Sequence, residues 1–112
     1  MSSKFNHKNF IKGWLVGDFS PSLFKSKDIE VGVKYYDSGF KEKAHYHKIS
    51  TEYTMIIKGR ARINGSLYSE GEGIIIEPNE VANFECVTDC VTLVIKIPSS
   101  TQDKYLIWVN VH

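Results

Sequence analysis

Beyond residue 29 the chain alternates short apolar runs with turn residues, and no window sustains a helical spacing of apolar positions. Glu30 to Asp37 is rich in β-branched and aromatic residues and stops at Ser38-Gly39, which predicts a strand. Further strands are predicted at Ala44 to Lys48, Glu52 to Ile57, Arg60 to Ile63 and Ser66 to Tyr68. Asn64-Gly65, between the last two, is a strong hairpin signal because both residues tolerate positive φ. Ile74 to Ile76 follows the turn Glu70-Gly71-Glu72-Gly73, and Val81 to Val87 follows Glu77-Pro78-Asn79. Val91 to Ile97 begins after Thr88-Asp89 and is stopped by Pro98-Ser99-Ser100. A last strand, Tyr105 to Val111, is apolar enough to be buried or to pair with another chain. Short strands at this rhythm predict an all-β sandwich or barrel, and closure removes the edges that invite aggregation.

Residues 1–27 read differently. Phe10 to Gly17 predicts one short strand and Ser20-Pro21-Ser22 a turn, with little periodicity between them. The expectation is an arm that packs over the outside of the barrel or across a partner subunit, with the barrel itself in 28–112. The arm and the last strand offer apolar surface that a small barrel cannot bury alone, so a homodimer is expected.

Composition narrows the class. At 112 residues the chain is long enough for one core and too short for two. A formal net charge of +1 gives no compositional case for nucleic acid or an anionic membrane as partner. No apolar run approaches the roughly 18–20 residues that span a bilayer. The first residues, Met1 to Lys8, lack an apolar core of the kind a signal peptide needs, so a cytoplasmic location is expected. Cys86 and Cys90 are too few for a disulfide framework and are expected to be free thiols.

The candidate chemistry lies between Gly39 and Gly59. In a strand alternate side chains share a face, so His45 and His47 send two imidazoles in one direction. Glu52 on the following strand closes the third corner of a two-histidine, one-carboxylate site, a set that suits Fe(II), Mn(II), Ni(II) or Zn(II). By comparison His7, in the irregular arm, and His112, at the end of the sequence, read as solvated, and Lys41-Glu42-Lys43 as a solvated loop.

Gly39, His45, His47, Glu52 and Gly59 stand at the spacings of the first motif of the cupin superfamily, which this stretch closely resembles. The resemblance covers roughly residues 29–97 and implies a single jelly-roll, or double-stranded β-helix, barrel with a divalent metal inside it. The second cupin motif is only partly present. Gly71 fits its first glycine, Glu77 stands at its proline with Pro78 alongside, and Asn79 stands at its second glycine. Ala82 occupies the place of the family's fourth ligand, a histidine.

Three readings of that departure are open. A metal is held by His45, His47 and Glu52 alone, with the remaining positions free for water or substrate. Asn83 completes the set, against strand alternation, which points it away from the face of Ala82. Or the metal is lost and the polar residues serve a metal-free pocket. Phe84 and Cys86 share the face of Ala82 and form an apolar wall, where Cys86 is either a soft ligand or core. Thr54 and Ile56 share the face of Glu52 and are expected to line the pocket. One of Tyr35 or Tyr36 must face the interior, and Tyr35 is named with His45 and His47 as a candidate for acid–base catalysis. The functions implied are a metal-dependent oxygenase or isomerase, a metal-free sugar-type isomerase or epimerase, or a module that binds a small polar molecule without turnover.

Overall fold

The computed structural model describes residues 1–107 and is almost entirely strand. In chain order the strands are β1 (Trp14–Val16), β2 (Glu30–Tyr36), β3 (Lys41–Tyr46), β4 (Thr51–Lys58) and β5 (Ala61–Ile63). They continue with β6 (Ser66–Tyr68), β7 (Gly73–Ile76), β8 (Ala82–Cys86), β9 (Cys90–Ile97) and β10 (Tyr105–Leu106). The strands form two antiparallel sheets of five, ordered β1-β2-β9-β4-β7 and β10-β3-β8-β5-β6. Neighbours in each sheet are mostly distant in sequence, so the chain winds between the two layers as a jelly roll. No helix among the described residues is long and apolar enough to cross a membrane.

Alternation along each strand divides inside from outside. Ile56 and Cys90 of the first sheet meet Ala61, Ile63 and Cys86 of the second in one buried cluster, with Tyr36, Ile74 and Phe84 packed against it. That cluster plugs one end of the sandwich. Both cysteines are free, as expected, and burial followed by Cys90 pushes the Cys86 thiol up to about 12. Cys86 lies within that apolar cluster and outside the group of candidate ligands, so it is core and the soft-ligand reading does not hold. Ile56, fully buried, is the floor beneath the pocket rather than its lining.

The turns follow their sequence signals. Asn64-Gly65 closes the β5–β6 hairpin with both residues at positive φ. Gly59 has φ +86°, and a Cβ there would lie 2.0 Å from the Asp89 carbonyl oxygen, so no other residue fits. Asn79 adopts φ 70°, which supplies the left-handed turn that the expected glycine would have made.

Three expectations need correction. Lys41-Glu42-Lys43 is the first half of β3, not a loop, and a register shift between Glu42 and His45 turns the Glu42 side inward. The short strand β1 does not lie over the outside: it pairs with β2 and extends the first sheet. His7 is half-buried, with Nε2 2.6 Å from the Val33 carbonyl oxygen. Of the predicted strand Tyr105 to Val111, Tyr105–Leu106 pairs with Tyr46 and His45 of the same chain, and residues 108–112, His112 included, lie outside the described residues.

Candidate metal centre

His45 is the penultimate residue of β3, and His47 follows that strand at once. Both are buried, at 5% and 2% exposure. Glu52 enters from β4, in the other sheet, so the site joins the two layers. One ligand atom from each of His45, His47 and Glu52 lies within 4.8 Å of the others.

Each histidine is held through Nδ1. His45 Nδ1 is 3.0 Å from the Lys43 carbonyl oxygen, and His47 Nδ1 is 2.7 Å from the Asp103 carbonyl oxygen. A carbonyl only accepts, so each Nδ1 carries a proton, and in the neutral ring each Nε2 presents its lone pair. His47 Nε2 is buried without a hydrogen-bond partner and lies 3.4 Å from Glu52 Oε1. Two acceptors facing each other in a buried place repel unless a metal cation or a proton sits between them. A divalent ion fits this donor set, and carbonyl support of the far ring nitrogen is the usual second layer of a histidine metal site.

Glu52 is prepared in the same sense. Burial alone would raise its pKa, but His47, Lys96 and the Thr54 hydroxyl outweigh it and hold the carboxyl below its usual range. Thr54 Oγ1 donates to Oε2 at 2.9 Å, leaving Oε1 turned toward His47. Thr54 thus orients the carboxylate from two residues along the same face.

Asp103 carries no signal in the sequence, yet it organises the site. Its side chain is buried at 2% exposure and accepts from the backbone N–H groups of Lys48, Ile49 and Ser50 at 2.8–2.9 Å. Burial pushes its pKa up, but these three donors outweigh it and hold the carboxyl below the usual range. The same residue offers its carbonyl to His47. The turn after β7 docks on this loop too, since the Asn79 N–H donates to the His47 carbonyl at 2.6 Å.

Ala82 pairs directly with His45 across β8 and β3, so the residue at the family's fourth-ligand position does stand at the site. Its methyl leaves space open there. Asn83 is exposed, as alternation requires. Ala82, Phe84 and Thr54 line an open cavity of about 920 Å³. Tyr35 is on the wrong face: it is 65% exposed and packs edge-on against His7. Tyr36 faces inward instead, stacked on Phe40 and tilted against Phe84 at the core end, and burial raises its pKa. Tyr35 is therefore no candidate for acid–base work at the triad.

No protein-family model and no curated protein matches the sequence. Solved structures do match. An uncharacterized conserved protein with a double-stranded β-helix domain from Klebsiella pneumoniae has 16% identity and a TM-score of 0.70, covering 94% of this chain and 91% of its own. An RmlC-like cupin from Shewanella frigidimarina has 17% identity and a TM-score of 0.64, covering 70% and 72%. Oxalate decarboxylase from Bacillus subtilis, an enzyme with Mn(II) centres, has 16% identity and a TM-score of 0.63. That likeness covers 73% of this chain but only 24% of the enzyme. The fold is the cupin double-stranded β-helix.

Proposed function

We propose that the chain binds a divalent transition metal through His45, His47 and Glu52 and uses it to bind or transform a small polar molecule in the barrel. The observation that carries this reading is the buried Nε2 of His47, which has no hydrogen-bond partner and faces the Glu52 carboxylate at 3.4 Å. The chemistry the ion supplies when bound is Lewis acidity toward a polar ligand, of the oxygenase or isomerase kind; Fe, Mn, Ni and Zn all suit the donors.

The chain's own residues do the rest. The Lys43 and Asp103 carbonyls hold a proton on each Nδ1 and orient both rings with Nε2 facing inward. Thr54 fixes one carboxylate oxygen so that the other faces the same point. Ala82 leaves the fourth ligand place open to water or to the small molecule.

A metal-free isomerase or epimerase is the second reading, favoured by that same alanine. In it His47 is protonated and pairs with Glu52. Elemental analysis of protein purified without a polyhistidine tag separates the two. The metal reading expects close to one equivalent after anaerobic reconstitution; less than about a tenth of an equivalent overturns it.

For the partner we infer a second copy of this chain. The outer face of the first sheet exposes Tyr53, Met55, Ile57, Ile75 and Ile97 on adjacent strands. These five side chains carry no charge that would demand an oppositely charged partner. An uncharged sheet face is complementary to itself, which a copy supplies through a two-fold axis.

A further inference from the structure

We propose that Lys34 and Lys96 form an anion subsite inside the barrel, which receives a carboxylate of the small molecule bound at His45, His47 and Glu52. The ligand class is a compact carboxylic acid. This deepens the metal reading and rests on it for the second pole of the ligand, although the placement of the lysines does not.

Both lysines sit at inward positions of the first sheet. Lys34 is directly opposite Thr92, and Lys96 lies between Glu30 and Glu52 in the register. Lysine is among the residues least suited to such positions, because its charge must be either paired or solvated. Both are half-buried and close ion pairing does not account for them, so solvent or a ligand must meet their charge. Among the described residues neither ammonium has a carboxylate oxygen within 4.0 Å, whereas Lys104 and Lys41 do.

Trp14 holds them in place. Lys34 Nζ lies 3.9 Å and Lys96 Nζ 5.0 Å from the centroid of its indole ring. Contact with an aromatic face positions a cation without neutralising it. The arrangement requires Gly32, where an added Cβ would lie 2.7 Å from Trp14 Cε3. Lys34 Nζ also donates to the Lys12 carbonyl at 2.6 Å, which leaves further donors unused. Burial, and then Lys96, bring the Lys34 pKa down to about 8, so the group is still mostly protonated at neutral pH.

Two further observations point to a ligand. The Thr92 hydroxyl, opposite Lys34, is buried without a hydrogen-bond partner. The neighbouring acids are also engaged: Glu42 with Lys104, Glu30 with the Ser99 hydroxyl, and Glu52 in the triad. A divalent ion then leaves the pocket with excess positive charge, which an anionic ligand offsets. Lys96 stands across from Glu52 on the adjacent strand, and both lysines border the same cavity as His45 and Glu52, so one ligand can reach both poles.

The test is calorimetric titration of the Mn(II)-reconstituted protein with malonate, its neutral isostere malonamide, and inorganic phosphate. Malonate is expected to bind saturably, and malonamide at least about tenfold more weakly. Lys34→Met with Lys96→Met should lose malonate by about tenfold or more with metal content unchanged, and Lys34→Arg with Lys96→Arg should restore it. Lys34→Met alone serves if circular dichroism finds the double variant unfolded. Equal malonate affinity in wild type and the methionine variant overturns the proposal, as does phosphate binding more tightly than malonate. If no metal is retained but lysine-dependent malonate binding persists, the subsite stands and the metal reading falls. Full metal content with no lysine-dependent binding is the reverse.

Discussion

At the scale of single residues the site is a set of fixed tautomers and one missing imidazole. Ala82 pairs with His45, so Ala82→His places a third nitrogen, as a fourth donor, beside the other three. Metal retention during dialysis against a chelator should lengthen by at least about tenfold, and an unchanged rate would mean that position 82 does not face the ion. Thr54→Val removes the donor that orients Glu52 while keeping the shape, and metal affinity should fall by about tenfold, read by competition with a colorimetric chelator. His45, His47 and Glu52 were legible because period-two alternation and a fixed spacing act within one short stretch. The sequence does not separate Tyr35 from Tyr36, because two adjacent tyrosines differ only in face, and the face is set by pairing with β9. Lys34 and Lys96 carry no sequence signal for a different reason: charged residues in strands usually face water, and the Trp14 beside them lies far from both in the sequence.

At the scale of elements the ligand strand depends on a segment from the far end of the described chain. Asp103 caps three backbone N–H groups after β3, while Lys104 reaches Glu42 and Tyr105 stacks on Tyr46. Asp103→Ala leaves those donors unpaired and should cost about 3 kcal/mol of unfolding free energy in urea, with loss of metal affinity in parallel. The carboxyl's folded pKa lies below its unfolded one, so its stabilisation is complete above the ordinary carboxylate range. It is lost as pH falls through the folded value. Acid titration should therefore destabilise wild type more steeply than Asp103→Asn. No sequence pattern announces this latch, because an aspartate after Ser-Ser-Thr-Gln has the look of an ordinary loop residue. The bulge in β3 was equally hidden: it inserts one residue into the alternation and turns Glu42 inward.

At the scale of the whole molecule the barrel has a plugged end, an open end and one apolar outer wall. Ile56 is the centre of the plug, and Ile56→Ala should cost about 3 kcal/mol without altering metal stoichiometry. The wall predicts a dimer in sedimentation velocity, and Met55→Glu with Ile75→Glu should yield a folded monomer with its triad intact. A wild-type monomer at micromolar concentration would remove the second copy from the picture. The last consequence concerns timing. His47 owes its tautomer to a carbonyl 56 residues downstream, so during synthesis the two imidazoles and Glu52 leave the ribosome long before the group that tunes one of them. If the triad does bind a metal, affinity in its final form would arrive only when the tail folds back, which would place metal loading after synthesis of the whole described chain.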